Sequence, residues 1–124
     1  MSNSAMYPGP YAEPDITRML HQHQLSIGPV NGECSYCGCM MINQRSVMCY
    51  YCPIVMCFNC AFESLRAESP YVHHQHDMFM RIRTEGIGWI CDCCKRQFTN
   101  KEGTFNCPFC DFDICKTCYC RGHC

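Results

Sequence analysis

The sequence predicts a small metal-stabilised fold, built as two tandem units of short β-hairpins and short helices, and three observations predict it. The first is density: 16 cysteines and 6 histidines stand in 124 residues. That puts cysteine at about 13% of the chain, above the roughly 8–10% at which disulfides or metal hold a short chain together. The second is spacing, since twelve of the cysteines fall in six Cys-x-x-Cys pairs. The third is duplication. Cys34/Cys37, Cys49/Cys52 and Cys57/Cys60 recur as Cys91/Cys94, Cys107/Cys110 and Cys115/Cys118, offset by 57 residues for the first pair and 58 for the other two. Each copy follows the same tripeptide, His21-Gln22-His23 and His74-Gln75-His76. The repeating unit is His-x-His followed by three Cys-x-x-Cys pairs.

Along the chain, residues 1–20 read as an extended tail, because Pro8, Pro10 and Pro14 break any early helix. Asp15 is placed to cap a turn of helix through Ile16, Met19 and Leu20. Residues 21–68 form the first unit. In it, Phe62 and Leu65 are spaced for a short helix over 61–69. Residues 69–120 form the second unit, in which the alternation of Met78-Phe79-Met80-Arg81-Ile82-Arg83 reads as a strand and Gly86 and Gly88 turn the chain towards Trp89. Residues 121–124, with His123 and Cys124, make a short Cys/His tail.

A Cys-x-x-Cys turn presents two sulfurs to one ion, so each pair is half of a tetrahedral zinc site. Six such pairs and two histidine pairs supply sixteen ligands, enough for four Zn2+ ions. In a strand, residues i and i+2 share a face, so the histidines of each His-x-His are expected to be strand residues. Pairs two and three are only four residues apart, too close to wrap one ion. The interleaved, cross-braced arrangement joins the first pair with the third. It predicts two all-cysteine sites, Cys34, Cys37, Cys57, Cys60 and Cys91, Cys94, Cys115, Cys118. Two mixed sites remain, on Cys49, Cys52 and on Cys107, Cys110. If each histidine pair serves the unit that follows it, the mixed sites take His21, His23 and His74, His76. If each serves the unit before it, His74 and His76 complete the first unit and the tail of Cys120, His123 and Cys124 completes the second. Cys39, Cys93 and Cys120 fall outside the six pairs and read as small thiols. Zinc is also what lets the chain fold, because units of about 50 residues bury too little apolar surface to offset their conformational entropy.

The formal charge of −1 has no local run of either sign, which removes the electrostatic footprint of a nucleic-acid or membrane-surface binder. Two all-cysteine zinc sites would carry it to about −5, further opposing phosphate contacts. No apolar stretch is long enough to span a bilayer. The opening residues have neither the basic region nor the apolar core of a secretory signal, so the expected location is cytoplasmic, in a reducing compartment where thiols bind metal.

The second unit, Cys107-Pro-Phe-Cys-Asp-Phe-Asp-Ile-Cys-Lys-Thr-Cys-Tyr119, resembles the ZZ-type zinc finger, with Gly103-Thr104-Phe105 and Cys91-Asp92 also in keeping. The order of His-x-His before the cysteine pairs is similar to the divergent Cys/His-rich domains related to the phorbol-ester-binding fold. Both resemblances imply a cross-braced unit with two zinc ions, over roughly residues 21–120. The sequence departs from them in its third pair, Cys-Cys where the phorbol-ester relatives have His-Cys, and in lacking a histidine pair after Cys118. ZZ fingers are interaction modules, several of which hold a peptide N-terminus on acidic residues. By position, Asp92, Asp111 and Asp113 would do this in the second unit. The first unit has Ser35 and Pro53-Ile54-Val55-Met56 there.

The expected function is therefore a non-catalytic, zinc-binding protein-interaction or scaffold subunit of a larger protein assembly. Its expected partners are proteins, not nucleic acid, membrane or a small-molecule substrate. Closed four-ligand sites leave no position for a water or substrate, and no phosphate loop or His-x-Glu deaminase signature is present. The apolar run Pro53, Ile54, Val55, Met56 and Phe58 is the expected docking surface. A ubiquitin-ligase-type module, or an adaptor reading peptide N-termini through the second unit, is the alternative. The Cys-x-His-x-x-Cys-x-x-Cys centre of RING fingers is absent from the chain.

Overall fold

The computed structural model describes residues 12–66, 76–84 and 86–121. Asp15 caps a 3₁₀ turn over Ile16–Arg18, its carboxylate accepting from the Thr17 N–H at 3.1 Å. The first unit then runs through β1 (Ser26–Glu33), β2 (Met40–Met48), β3 (Val55–Met56) and α1 (Phe58–Arg66). The second runs through β4 (Phe79–Ile82), β5 (Trp89–Ile90), β6 (Gln97–Phe98), β7 (Gly103–Cys107), β8 (Phe112–Ile114) and α2 (Lys116–Arg121). The strands form three antiparallel sheets, β1-β2-β3, β4-β7-β8 and β5-β6.

The duplication in the sequence is a duplication in register. Ile27 pairs with Val47 in the first unit, and Met80 pairs with Phe105 in the second. Val47 in turn meets Met56, and Phe105 meets Ile114. Val47, Met56, Met80, Phe105 and Ile114 are all buried, so each unit's central pairs supply its core side chains. In the first unit the β1–β2 ladder slips between Val30 and Gly32. There Asn43 takes a left-handed φ of 48° and its N–H is held by the Asn31 side chain at 2.9 Å; asparagine adopts this conformation more readily than most residues other than glycine.

Three sequence expectations need correction. The histidines are not strand residues: β1 begins at Ser26 and β4 at Phe79, so His21, His23 and His76 lie in the irregular approaches to them. The ladder stops at Ser26↔Met48 because Cys49 begins a cysteine turn that leaves the sheet. The helix starts at Phe58 rather than 61, which places Cys60 within its first turn. The expected docking run is mostly core, with Ile54 and Met56 at 1% and 0% exposure. Met56 is paired with the buried Val47 of β2, which sets it in the core. Among the described residues, the large apolar side chains that do reach solvent are Met40, Ile42, Tyr50, Tyr51, Ile87, Ile90 and Phe109, with Leu20 marginal.

The two units share one apolar cluster and a polar seam. The Gly103 N–H donates to the Ser35 carbonyl at 2.6 Å, and the Tyr36 hydroxyl donates to the Thr104 carbonyl at 3.1 Å. The Tyr36 ring packs against Phe105 at 5.2 Å between centroids, and Phe105 stacks on Tyr119 at 3.9 Å. Lys116 of α2 pairs with Glu63 of α1. Gly103 is required by this approach: a Cβ there would overlap the Tyr36 ring, with further ring carbons at 2.7 and 2.8 Å. Gly103→Ala is expected to destabilise the protein by about 1–3 kcal/mol through overpacking, read as a lower urea midpoint with an unchanged m-value.

Candidate metal centres

Each third cysteine pair straddles the start of a helix. Cys57 precedes α1 and Cys60 lies in its first turn; Cys115 precedes α2 and Cys118 lies in its first turn. A separation of three on a helix keeps the two sulfurs on one side. Each first pair is a tight turn closed by backbone bonds. Cys34 N–H donates to the Cys39 carbonyl at 2.9 Å, and Cys91 N–H to the Arg96 carbonyl at 3.0 Å. Gly38 and Lys95 fill the same left-handed position, with φ of 79° and 68°.

These turns bring Cys34, Cys37, Cys57 and Cys60 together in one cluster, and Cys91, Cys94, Cys115 and Cys118 in another, all ligand atoms of each lying within 4.8 Å. The sulfur separations carry the chemistry. Cys34–Cys60 and Cys37–Cys57 are each 3.8 Å, Cys91–Cys118 is 3.8 Å and Cys94–Cys115 is 3.9 Å. A tetrahedron with Zn–S bonds of about 2.3 Å has edges of about 3.8 Å, whereas a disulfide would need about 2.05 Å. Backbone N–H groups aim at the sulfurs in equivalent places. Tyr36 and Cys57 donate to Cys34, and Cys93, Cys94 and Cys115 donate to Cys91, all at 3.4 Å. Such bonds favour thiolate. In the first cluster, hydrogen bonding with Cys57 and Cys60 holds Cys34 well below the usual thiol range, while the bond with Cys34 pushes Cys57 up to about 12. Crowded sulfurs ionise at one another's expense, and all four ionise together only around a cation.

The mixed clusters join the middle pairs to histidine. His21, His23, Cys49 and Cys52 form one, and His76, Cys107 and Cys110 the other. His23 Nδ1 lies 3.5 Å from Cys49 Sγ and 3.2 Å from Cys52 Sγ, and His76 Nδ1 lies 3.4 Å from Cys110 Sγ. A tetrahedral zinc with one nitrogen and one sulfur ligand puts them about 3.6 Å apart. The Nε2 of His21 is buried with no hydrogen-bond partner, as a nitrogen reserved for metal would be. Tyr51 packs on His23 at 5.0 Å and Phe109 on His76 at 5.4 Å, so equivalent residues shield equivalent rings. His74, His123 and Cys124 lie outside the described residues.

The three aspartates have partners within the chain. Asp92 accepts from the Asp113 N–H at 2.8 Å, just as Ser35 Oγ accepts from the Val55 N–H at 3.1 Å in the first unit. Asp113 accepts from Asn106 at 3.0 Å and Thr104 at 3.3 Å, and pairs with Arg83, which also reaches Asp111 at 3.3 Å. Burial raises the Asp113 carboxyl and Arg83 opposes the rise. The cation facing Asp111 and Asp113 is thus the chain's own Arg83 guanidinium.

Of the cysteines outside the pairs, Cys39 is an exposed free thiol beside the first all-cysteine cluster, and Cys120 is half-buried, its thiol pushed up by burial. Cys93, expected to be a thiol, is disulfide-bonded. Nothing in the spacing of the repeat distinguishes it, because it sits between two members of a pair.

The chain is thus a small, mostly β protein with short helices, built around four clusters of zinc-ligand side chains whose composition is that of structural rather than catalytic zinc centres. Comparison with protein-family models, with curated proteins and with solved structures gave no match.

Proposed function

We propose that this is a non-catalytic zinc-binding interaction or scaffold module of two cross-braced units, over residues 21–68 and 69–120, holding four Zn2+ ions. The ligands are Cys34, Cys37, Cys57, Cys60; His21, His23, Cys49, Cys52; Cys91, Cys94, Cys115, Cys118; and His74, His76, Cys107, Cys110. The observation that carries this reading is the set of sulfur edges of 3.8–3.9 Å, the size of a zinc tetrahedron. Clustering of the middle pair with the histidines and of the first pair with the third along the first unit supports the cross-braced reading. Ions ringed by four protein ligands offer no place for a substrate, so the function falls to the surface. Among the exposed apolar residues, Met40 and Ile42 lie on β2 and are 61% and 77% exposed, offering a partner protein an apolar contact. We place the protein in a reducing compartment, since zinc-binding thiolates persist there.

Native mass spectrometry of the intact chain tests the metal content. Four zinc ions are expected, three in the His21→Ala/His23→Ala variant, and four after removal of Cys124. Fewer than four in the wild type, or loss on truncation alone, would refute this assignment. The interaction role is tested by cross-linking in cells. Partners captured by the wild type are expected to be lost in Met40→Ser/Ile42→Ser while zinc content stays at four.

A further inference from the structure

The two histidines of the first mixed cluster meet it through different ring nitrogens. His23 turns Nδ1 to the sulfurs, at 3.2 and 3.5 Å. His21 instead has Nδ1 at 2.8 Å from the main-chain carbonyl oxygen of Met80, a residue 59 positions away in β4 of the second unit. A carbonyl oxygen can only accept, so Nδ1 of His21 carries the proton and Nε2 carries the lone pair. That Nε2 is the buried, unpartnered atom. Left without a ligand, it would be a desolvated lone pair with nothing to accept from. The same Met80 donates its own N–H to the Leu20 carbonyl at 2.8 Å. One residue of the second unit therefore grips two successive residues, Leu20 at the end of the tail and His21 at the start of the first unit.

We propose that the main chain of Met80 sets the tautomer of His21 and holds its ring so that zinc is bound through Nε2. The first unit's mixed site is then fully formed only while the second unit is docked on it. This rests on the zinc reading above and adds to it a dependence of one unit's metal on the other unit's backbone. An outer hydrogen bond of this kind makes the imidazole a better donor and fixes its direction, and losing one typically costs about 10–100-fold in metal affinity. The docking seam ends at the other anchor, where Tyr36 and Ser35 meet Thr104 and Gly103. The seam is thus long enough to hold Met80 in place against His21, and loosening it at Tyr36 should be felt at the histidine.

The test uses the full zinc-loaded chain, labelled with ¹⁵N, and long-range ¹H–¹⁵N correlation of the imidazoles. His21 is expected as the Nδ1–H tautomer with Nε2 bound to zinc, and His23 as the opposite tautomer, bound through Nδ1. Zinc bound to His21 through Nδ1 would overturn the proposal from the wild-type spectrum alone. Tyr36→Ala removes the seam's aromatic anchor without touching a ligand. It is expected to make zinc at His21/His23/Cys49/Cys52 about 10–100-fold easier to extract with a chelator, while Cys91/Cys94/Cys115/Cys118 keep theirs. An unchanged His21 tautomer and unchanged zinc retention, in a variant whose Phe105 signals show the seam has opened, would also overturn it. Histidines that all titrate freely would refute the zinc reading itself, and the inference with it.

Discussion

Removing zinc from the reduced protein with excess chelator is expected to unfold both units, and restoring zinc is expected to refold them. A structural zinc contributes on the order of 10–16 kcal/mol of apparent binding free energy, against a total stability of roughly 5–15 kcal/mol for an ordinary domain. The core cannot substitute for that. Of the 21 buried apolar residues that form it among the described residues, eight are cysteines assigned to the four clusters, so withdrawing the ions leaves mutually repelling or protonated sulfurs where apolar packing should be. Trp89, the single tryptophan, reports the event. It is 6% exposed, stacked on Phe98 at 4.5 Å, and donates from its indole N–H to the Glu102 carbonyl at 3.1 Å. Its emission should shift to the red as the stack opens, with loss of the near-ultraviolet circular dichroism of the Tyr36, Phe105 and Tyr119 group. Native emission retained at full zinc depletion would mean that the metal does not hold the fold.

How much of this was legible in the sequence follows from what each signal depends on. Cysteine spacing depends on local turn geometry, and the structure places the first and third Cys-x-x-Cys pairs of each copy in one cluster. The choice between histidine registers was not local, since it turns on whether the chain before β1 or the chain after α2 reaches the middle cysteines. The structure groups His21 and His23 with Cys49 and Cys52. The period-two argument that made strand residues of the histidines failed because ligands can converge from irregular chain once the metal, rather than a ladder, fixes them. The apolar run at 53–58 was misread as surface because β3 is only two residues long. In so short an element, burial is decided by what packs on it and not by its own pattern.

The seam between the units could not have been read from the repeat at all. It depends on differences between the copies: Gly103 where the first unit has Arg45, and Tyr36 where the second has Cys93. Those substitutions make one unit's cysteine turn fit the other unit's sheet. Arg45 cannot offer the first unit's sheet in the same way, since it pairs with Glu13 at 2.9 Å through Nε. A tandem repeat therefore becomes one body through its departures from repetition.

Cys60→Ser and Cys39→Ser are expected to behave as opposites, although both remove one thiol from the same neighbourhood. Cys60 is 2% exposed, lies in the first turn of α1 and stands 3.8 Å from Cys34. A hydroxyl there is a far weaker zinc ligand than thiolate, and three sulfurs are left crowded around an under-coordinated ion. The loss should be comparable to removing the ion, on the order of 10 kcal/mol, which exceeds what the first unit has to spare. The expected result is three zinc ions or fewer by native mass spectrometry, with aggregation or poor expression. Cys39 neighbours the same cluster, yet it stands outside the quartet of ligand atoms. Its side chain is exposed, so Cys39→Ser should change stability by less than about 0.5 kcal/mol and leave four zinc ions. A Cys39→Ser variant that loses zinc while Cys60→Ser keeps it would exchange their roles. The ligand set would then follow exposure rather than the Cys-x-x-Cys spacing from which the fold was read.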